Sequence, residues 1–478
     1  MRSLPWTVLG ISLAAVLPGI ADGADVFNTQ SQVTPGPATA LLDDADDPCR
    51  LRPLSTPLRL FDAIERSLCE SPKTRSAWAT VKAAAAGLGE SKAAYLPTLD
   101  ATVQTSESHD IGAISAGKGS NGSSVNEVIN AESLSLGWVL YDFGDRAAAL
   151  RNSKELVVAA QANQNLVLQT AFLSTAKDYY AAQAARVAVD ALRRIESDAQ
   201  QTLDAASARY RTGVGPITDQ LQAQTASAQA VYELARAEGL YQIALGTLAV
   251  DMSLSAEEPL NLPDLDQGVL PDTSFMTAVH DLIEDATQTH PSVLAARAQW
   301  QAALQSVREA RAAGLPKLSL SADATRSSQP ISTSVGQLAL PASTRQATIG
   351  LSVQMPLFQG FSQTYKIRQA EAVAQVQEQG LRDVQQQVAL GVWTSVQTLQ
   401  SDTENLHNTE IVLRSATDSF AAAEHRYQTG VGNILEVLSA QTVLANAEQQ
   451  RIQSQLEWRT ARLQLAASLG HLGMWSIK

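Results

Sequence analysis

Short segments of the chain alternate between apolar and polar residues, which is the pattern of a β-strand with two different faces. Leu99, Ala101 and Val103, for example, are separated by polar residues. Four such segments predict four strands of about 9–11 residues each, around residues 99–104, 134–140, 318–323 and 349–355. A Gly-, Ser- and Asn-rich stretch at about His109–Asn130 predicts a loop between the first two strands. A transmembrane β-barrel wall and an ordinary half-buried sheet share this period, so the period alone leaves both open.

The rest of the chain is rich in Ala and Gln and predicts long helices, which return on themselves at Thr-Gly-Val-Gly turns. Each half has a helix, two strands, a long helix and a return helix. The longest helices cover about 66 residues, or roughly 100 Å at 1.5 Å per residue. The apolar residues of these helices lie on two narrow stripes, so each helix needs neighbouring helices on both sides. One chain cannot supply all of these neighbours. The predicted helices are 60–95, 145–210, 217–252, 362–427 and 434–469.

An internal repeat explains this order. The segment Arg209–Thr225 recurs 217 residues later as Arg426–Thr442, with 11 of 17 positions identical. The chain is therefore interpreted as a tandem duplication. Its predicted parts are a signal peptide (1–21), a mobile lead (22–57), repeat 1 (58–262), a linker (263–274), repeat 2 (275–470) and a C-terminal tail (471–478).

The N-terminus predicts export. Arg2 precedes an apolar run that Pro18 and Asp22 end too early for a membrane-spanning helix, which favours a cleaved signal peptide over an anchor helix. In an oxidising compartment Cys49 and Cys69 are expected to form a disulfide, although two free buried thiols remain an alternative. Export, together with aromatic residues where strands meet helices, favours the barrel. Four strands cannot close one, because bacterial barrels begin at eight, so several copies would have to share it.

Composition argues against catalysis and nucleic-acid binding. The net charge is −13 and aromatic residues are 5% of the chain, whereas a nucleic-acid binder needs clustered Lys and Arg. Two cysteines and six scattered histidines show no metal-binding spacing. The Gly-Val-Gly turns lack the strand and the Lys-Ser/Thr of a phosphate loop. We therefore expect no catalytic residue, no cofactor and no metal site.

The doubled Tyr-x-Thr-Gly-Val-Gly…Ile motif, with an acid shortly after it, resembles the TolC family of Gram-negative outer-membrane exit ducts. The resemblance implies an α+β membrane protein. It would be a homotrimer with a 12-stranded β-barrel in the outer membrane, four strands per chain, continuous with a 12-helix periplasmic α-barrel. Implied partners are outer-membrane lipid, a periplasmic adaptor (membrane fusion) protein and an inner-membrane ABC or proton-driven transporter.

The paired Cys49 and Cys69 resemble the CyaE-like subfamily, which serves type I secretion of a toxin. Passive export of a protein with an ABC transporter is therefore the preferred function. A proton-driven multidrug efflux pump is the alternative within the class. A periplasmic coiled-coil structural protein without a pore is the remote one.

The turns carry the candidate site. Exposed apolar residues there suggest adaptor docking, whereas turn geometry alone would explain only the glycines. The resemblance implies a pore constriction formed by Glu436 and Asp219. A favourable charge near a helix N-terminus is the alternative role for both acids. The resemblance also implies a latch between a tyrosine and an acid, although Gly432 stands where the family has the latch arginine. The docking residues are Gly213, Val214, Gly215, Ile217, Gly430, Val431, Gly432 and Ile434; the constriction is Glu436 with Asp219; the latch is Tyr427 with Asp219.

Overall fold

The structure is a computed structural model that describes residues 25–39, 41–42, 49, 53–115, 120–263, 279–328 and 343–473, with the backbone alone over 108–115 and 120–127. The predicted signal peptide lies outside these residues, as does the predicted linker beyond residue 263. The first half contains α1 (Leu60–Glu70), α2 (Pro72–Ala93), β1 (Thr98–Ser115), β2 (Ser120–Tyr141), α3 (Asp145–Arg211) and α4 (Ile217–Asp251). The second half contains α5 (Val279–Thr289), α6 (Pro291–Ala312), β3 (Lys317–Ser328), β4 (Thr344–Gln354), α7 (Ser362–Gln428) and α8 (Ile434–Ser468).

The four long helices agree with the sequence prediction to within one residue at each end. The helix before the strands differs, because it is divided in both halves. Pro72 begins α2 and Pro291 begins α6, and in both cases a single residue separates the proline from the end of the preceding helix. Proline has no N–H to donate and its ring clashes with the preceding turn, so it is favoured at the first position of a helix and disfavoured inside one. The single helix predicted over 60–95 is therefore wrong.

The strands form one antiparallel sheet in the order β1-β2-β3-β4, so that β2 and β3 join the two halves. The register brings the apolar positions of all four strands to one face. Leu99 pairs with Leu136, Leu136 with Ala322, and Ala322 with Ile349. Large apolar side chains on this face are exposed. The alternation predicted from the sequence is thus confirmed as a single apolar sheet face.

The first hairpin is longer than predicted. Its ladder continues from Thr98–Gly137 to Ser115–Ser120, so the backbone over most of His109–Asn130 is strand and the predicted loop is wrong. A ladder of backbone hydrogen bonds does not depend on apolar side chains. Polar and glycine residues can therefore extend a hairpin beyond its apolar part.

The chain divides into two compact units: residues 1–33, 82–153 and 308–363, and residues 34–81, 154–307 and 364–478. The sheet belongs to the first unit. The second unit contains most of the buried apolar residues, and alanine makes up more than half of the buried cluster at the end of α7 and the start of α8. None of the described helices combines the length and the apolar character that a membrane span would need.

Part of the predicted mobile lead is packed. In the second unit, Ala38 is completely buried and Leu42 nearly so, in a cluster with Phe172. Gln164 Nε2 donates a hydrogen bond to the Pro37 carbonyl oxygen at 3.0 Å. Burying these apolar groups offsets the cost of ordering the chain, so the prediction of mobility is wrong for residues 34–39 and 41–42. The expected disulfide between Cys49 and Cys69 is present, with a Cα–Cα distance of 5.4 Å.

Candidate functional site at the two helix turns

The turns that follow α3 and α7 have the same backbone design. Gly213 and Gly430 have φ of +75° and +84°, which side chains with a Cβ rarely adopt. In the first turn the Val214 N–H donates to the Arg209 carbonyl and the Gly213 N–H to the Tyr210 carbonyl, both at 2.9 Å. The second turn repeats both bonds. This is the Schellman arrangement, which satisfies carbonyls at the end of a helix.

A second glycine in each turn permits a close approach of the chain to itself. A Cβ on Gly215 would lie 3.1 Å from Arg209 Cβ, and a Cβ on Gly432 would lie 3.0 Å from Arg426 Cβ. The close approach at Gly432, the position at which the resemblance to the TolC family places a latch arginine, favours glycine.

The turn valines are the most exposed apolar residues of the candidate docking surface. Val214 is 71% exposed and Val431 is 70% exposed, and Ile217 is half exposed. Ile434 is only 2% exposed, because it packs into a cluster with Phe420 and neighbouring residues of α7 and α8. Its predicted exposure is therefore wrong, and only three of the four apolar side chains are accessible for docking.

Glu436 lies in the first turn of α8 and has two local partners. Its backbone N–H donates to Asn433 Oδ1 at 3.0 Å, so that Asn433 caps the helix. Its carboxylate Oε1 is 3.2 Å from Arg426 Nε, and both side chains are about half exposed. Glu436 thus lies in the first turn of α8, as the alternative helix-terminal role requires, and has a neutralising arginine that the sequence analysis did not assign to it.

Asp219 occupies the equivalent position in α4, but its turn is capped differently. The N-cap position, which Asn433 occupies in α8, is Pro216 here, and proline has no side-chain oxygen to accept a hydrogen bond. The Asp219 N–H donates instead to the Pro216 carbonyl oxygen at 3.2 Å. Asp219 is partly buried. Its carboxylate is near enough to Tyr427 to influence that residue electrostatically.

Tyr427 is almost completely buried, at 3% exposure. Burial, and then the charge of Asp219, raise the pKa of its hydroxyl above the ordinary value, and Arg209 opposes them. Among the described residues, the hydroxyl has no hydrogen-bond partner. The predicted Tyr427–Asp219 latch bond is therefore not formed in this chain, although the two groups are neighbours.

Arg209 makes the contact that joins the two turns. Its Nη1 donates to the Tyr427 backbone oxygen at 2.7 Å, and its Cζ lies 4.8 Å from the centre of the Tyr427 ring. This combines a charge-assisted hydrogen bond with a cation–π contact. Reasoning from sequence missed this role, since nothing in the spacing pairs Arg209 with a residue 218 positions away.

Comparison with known proteins matches both halves of the chain. A family model described as "Outer membrane efflux protein" matches residues 63–250 and 282–471. The chain belongs to the outer membrane efflux protein family. Membership confirms the resemblance to the TolC family and locates the protein in the outer membrane.

Two relatives span most of this family member. Protein CyaE of Bordetella pertussis is 31% identical over 422 residues, which cover 88% of this chain and 85% of that protein. Outer membrane protein TolC of Escherichia coli is 24% identical over 447 residues, which cover 88% and 83%. Among solved structures, the outer membrane protein VceC of Vibrio cholerae matches with a TM-score of 0.71 at 21% identity, over 86% of this chain and 96% of that one. This last likeness shows the fold.

Proposed function

We propose that the protein is a passive outer-membrane exit duct of a tripartite export machine, assembled as a homotrimer. Three copies would supply a 12-stranded barrel and a 12-helix periplasmic tube. An adaptor would dock at the helix turns, and an inner-membrane transporter would supply the energy. The identity of 31% to Protein CyaE, together with the paired Cys49 and Cys69 by which the sequence resembles the CyaE-like subfamily, favours type I secretion of a protein by an ABC transporter.

The observation that carries this proposal is the sheet. Its four strands present one apolar face, with rows such as Leu99–Leu136–Ala322–Ile349, and that face is exposed in the single chain. A row containing Glu132, Arg326 and Arg345 ends the apolar part. An exposed apolar face whose charged residues lie towards its end suits the lipid-facing side of a barrel, because charges are costly at the bilayer midplane and tolerated near the interfaces. A periplasmic coiled-coil protein would leave this face in water, which disfavours that alternative.

Glu436 is the candidate for a cation-selecting constriction. Three such carboxylates around a shared axis would attract cations and repel anions. Arg426 neutralises part of this charge within the chain, but an ion pair so exposed is weak and exchanges easily. The ring proposal therefore depends on where Arg426 lies in the assembled protein.

Single-channel conductance of the purified full-length protein in a planar bilayer tests the duct and its ring separately. We expect stable, cation-selective channels that lose selectivity in Glu436→Gln, a variant of nearly the same shape. Channels that keep their selectivity in the variant would preserve the duct and leave Glu436 with its helix-terminal role. A folded protein that forms no channels would overturn the proposal.

The family description as an efflux protein supports a second candidate, the outer-membrane component of a proton-driven multidrug pump. Purification from the native membrane after cross-linking distinguishes the two. An adaptor recovered with an ABC transporter supports protein secretion, and an adaptor recovered with a proton-driven transporter overturns that preference in favour of efflux.

A further inference from the structure

The long helices of the two halves correspond residue by residue. α3 and α7 have 67 residues each, and α4 and α8 have 35 each. Every position in α3 and α4 therefore has a counterpart 217 residues later. Contacts made by one half can be compared directly with what the same positions do in the other half.

Among the contacts that hold the first half against the second within the chain, three lie along the part of α3 nearest the turns. Near the turns, Arg209 lies over the Tyr427 ring. Further along, Gln441 Nε2 donates to the Ile195 carbonyl oxygen at 3.3 Å, and the Ile195 side chain is 8% exposed. Arg194 Nη2 lies 3.5 Å from Glu448 Oε1. In each case α3 of the first half supplies one partner and α7 or α8 of the second half supplies the other.

The counterparts of four of these residues are exposed in the single chain. The exposed residues of the first half are called its open edge here, and those of the second half its open edge. Tyr210, the counterpart of Tyr427, is 42% exposed, and Arg426, the counterpart of Arg209, is about half exposed. The ion pair Arg194–Glu448 corresponds to two apolar residues, Ile411 at 50% exposure and Val231 at 51%. The second half thus exposes Arg426 and Ile411, and the first half exposes Tyr210 and Val231, which are the residues that a second junction of the same kind would bring together.

We propose that the open edge of the second half docks on the first half of another copy of this chain, with Arg426 stacked on Tyr210 of the partner subunit and Ile411 packed against Val231 of the partner subunit. The contact would repeat the internal junction, with an apolar pair in place of the Arg194–Glu448 ion pair. It rests on the homotrimer of the proposed function, because alternating halves then form a closed ring in which every junction is filled.

This junction also explains how the turns hold together without a latch arginine at position 432. Arg209 already fastens the two turns of one chain, and Arg426 would fasten the turns of neighbouring chains in the same manner. To do so, Arg426 must leave Glu436, and the half-exposed pair that it breaks is a weak one. The released Glu436 carboxylate would then be free to act in the constriction.

Cross-linking through introduced cysteines tests the contact. The double variant Arg426→Cys, Tyr210→Cys in the full-length protein is treated with a short bifunctional maleimide and run on a denaturing gel. We expect covalent dimers and trimers from the double variant and none from either single variant. The native cysteines are joined to each other and do not compete. The matched control, Arg209→Cys with Tyr427→Cys, should link within one chain and keep the mass of a monomer.

Light scattering of the same preparations separates the two proposals. Monomer bands alone from a protein that is trimeric before cross-linking would overturn this contact and leave the duct intact. An untreated parent protein that is not trimeric would overturn the assembly of the proposed function and this contact with it. Should the Arg426 variant fail to fold, Ile411→Cys with Val231→Cys probes the same junction at two exposed positions, with the same expected and contrary results.

Discussion

Asp142 and Arg146 form a largely buried ion pair where β2 ends and α3 begins, with Oδ2 and Nε 2.6 Å apart. Arg146 Nη1 also donates to the carbonyl oxygens of Val139 and Ala94. The pair thereby joins the end of α2, the end of β2 and the start of α3 within the first compact unit. Burial alone would raise the pKa of Asp142, but hydrogen bonds from Arg146 and the Gly144 N–H outweigh it and hold that pKa below its ordinary value.

Replacement of Arg146 by alanine should destabilise this unit strongly. It would leave the Asp142 carboxylate buried without its partner, which costs about 3 kcal/mol in comparable sites. Thermal unfolding in detergent, followed by circular dichroism, measures the effect. Arg382→Ala is the matched control, since Arg382 pairs with Glu378 at the same i,i+4 spacing but at the surface, and it should change stability little. Equal losses in the two variants would contradict the structural role of the Asp142–Arg146 pair.

The turn glycines should not tolerate alanine. Gly213→Ala and Gly430→Ala place a Cβ on a residue with positive φ, at a cost of roughly 1–2 kcal/mol each. Gly380→Ala, inside α7 with no atom near its ideal Cβ, should instead stabilise by up to about 1 kcal/mol. Chemical denaturation of the three variants gives the comparison. The same sign of change in all three would mean that backbone conformation does not limit the turns.

Much of the fold could be predicted from the sequence, because its signals are local. Helical periodicity and glycine turns give the ends of the four long helices, and strict alternation gives the shared apolar face of the sheet. The divisions at Pro72 and Pro291 were also readable, since proline favours the first turn of a helix. The extended hairpin was not, because a backbone ladder leaves little trace in polar side chains.

The site was less predictable, because its environment is set by distant contacts. The two turns have nearly the same sequence, yet Ile434 is buried and Ile217 is not. Tyr210 and Tyr427 differ in the same way. Which member of each pair is covered depends on the packing of one half against the other, and the repeat makes the two halves look equivalent.

Tyr427→Phe tests whether the latch forms only in the assembly. The hydroxyl is buried and no described group bonds to it, so its removal should leave the stability of the isolated chain unchanged or raise it by about 1 kcal/mol. If the closed trimer supplies a bond to Asp219, the variant should raise the resting conductance in a planar bilayer. Unchanged conductance would remove the latch from this protein and leave closure to other contacts, such as that of Arg209.

The exposed valines are predicted to bind the adaptor. Val214→Asp with Val431→Asp should abolish export in cells while the purified protein keeps its conductance, because these side chains are exposed in the chain and are replaced by charges at a proposed docking surface. Ile243→Asp is a control at another exposed apolar position of α4, away from the turns. Normal export by the double variant would exclude the valines from docking.

A pair of acids gives the second unit a specific pH dependence. Burial first, and then a hydrogen bond and charge repulsion from Asp251, raise the pKa of Asp178 to about 7 from an ordinary value of 3.8. The folded chain therefore retains a proton that the unfolded chain has already lost. Stability from this site is fully present below pH 3.8 and is lost as the pH rises through about 7.

Asp178→Asn should consequently be more stable than the parent protein at pH 8, with a difference that shrinks towards pH 5, because asparagine keeps a neutral side chain at every pH. Unfolding by denaturant at the two pH values measures it. Asp251→Asn is the matched control: it removes the neighbouring carboxylate but leaves Asp178 buried, so it should weaken the parent's pH dependence in the same window without abolishing it. Parallel pH profiles for the parent and both variants would contradict the raised pKa of Asp178.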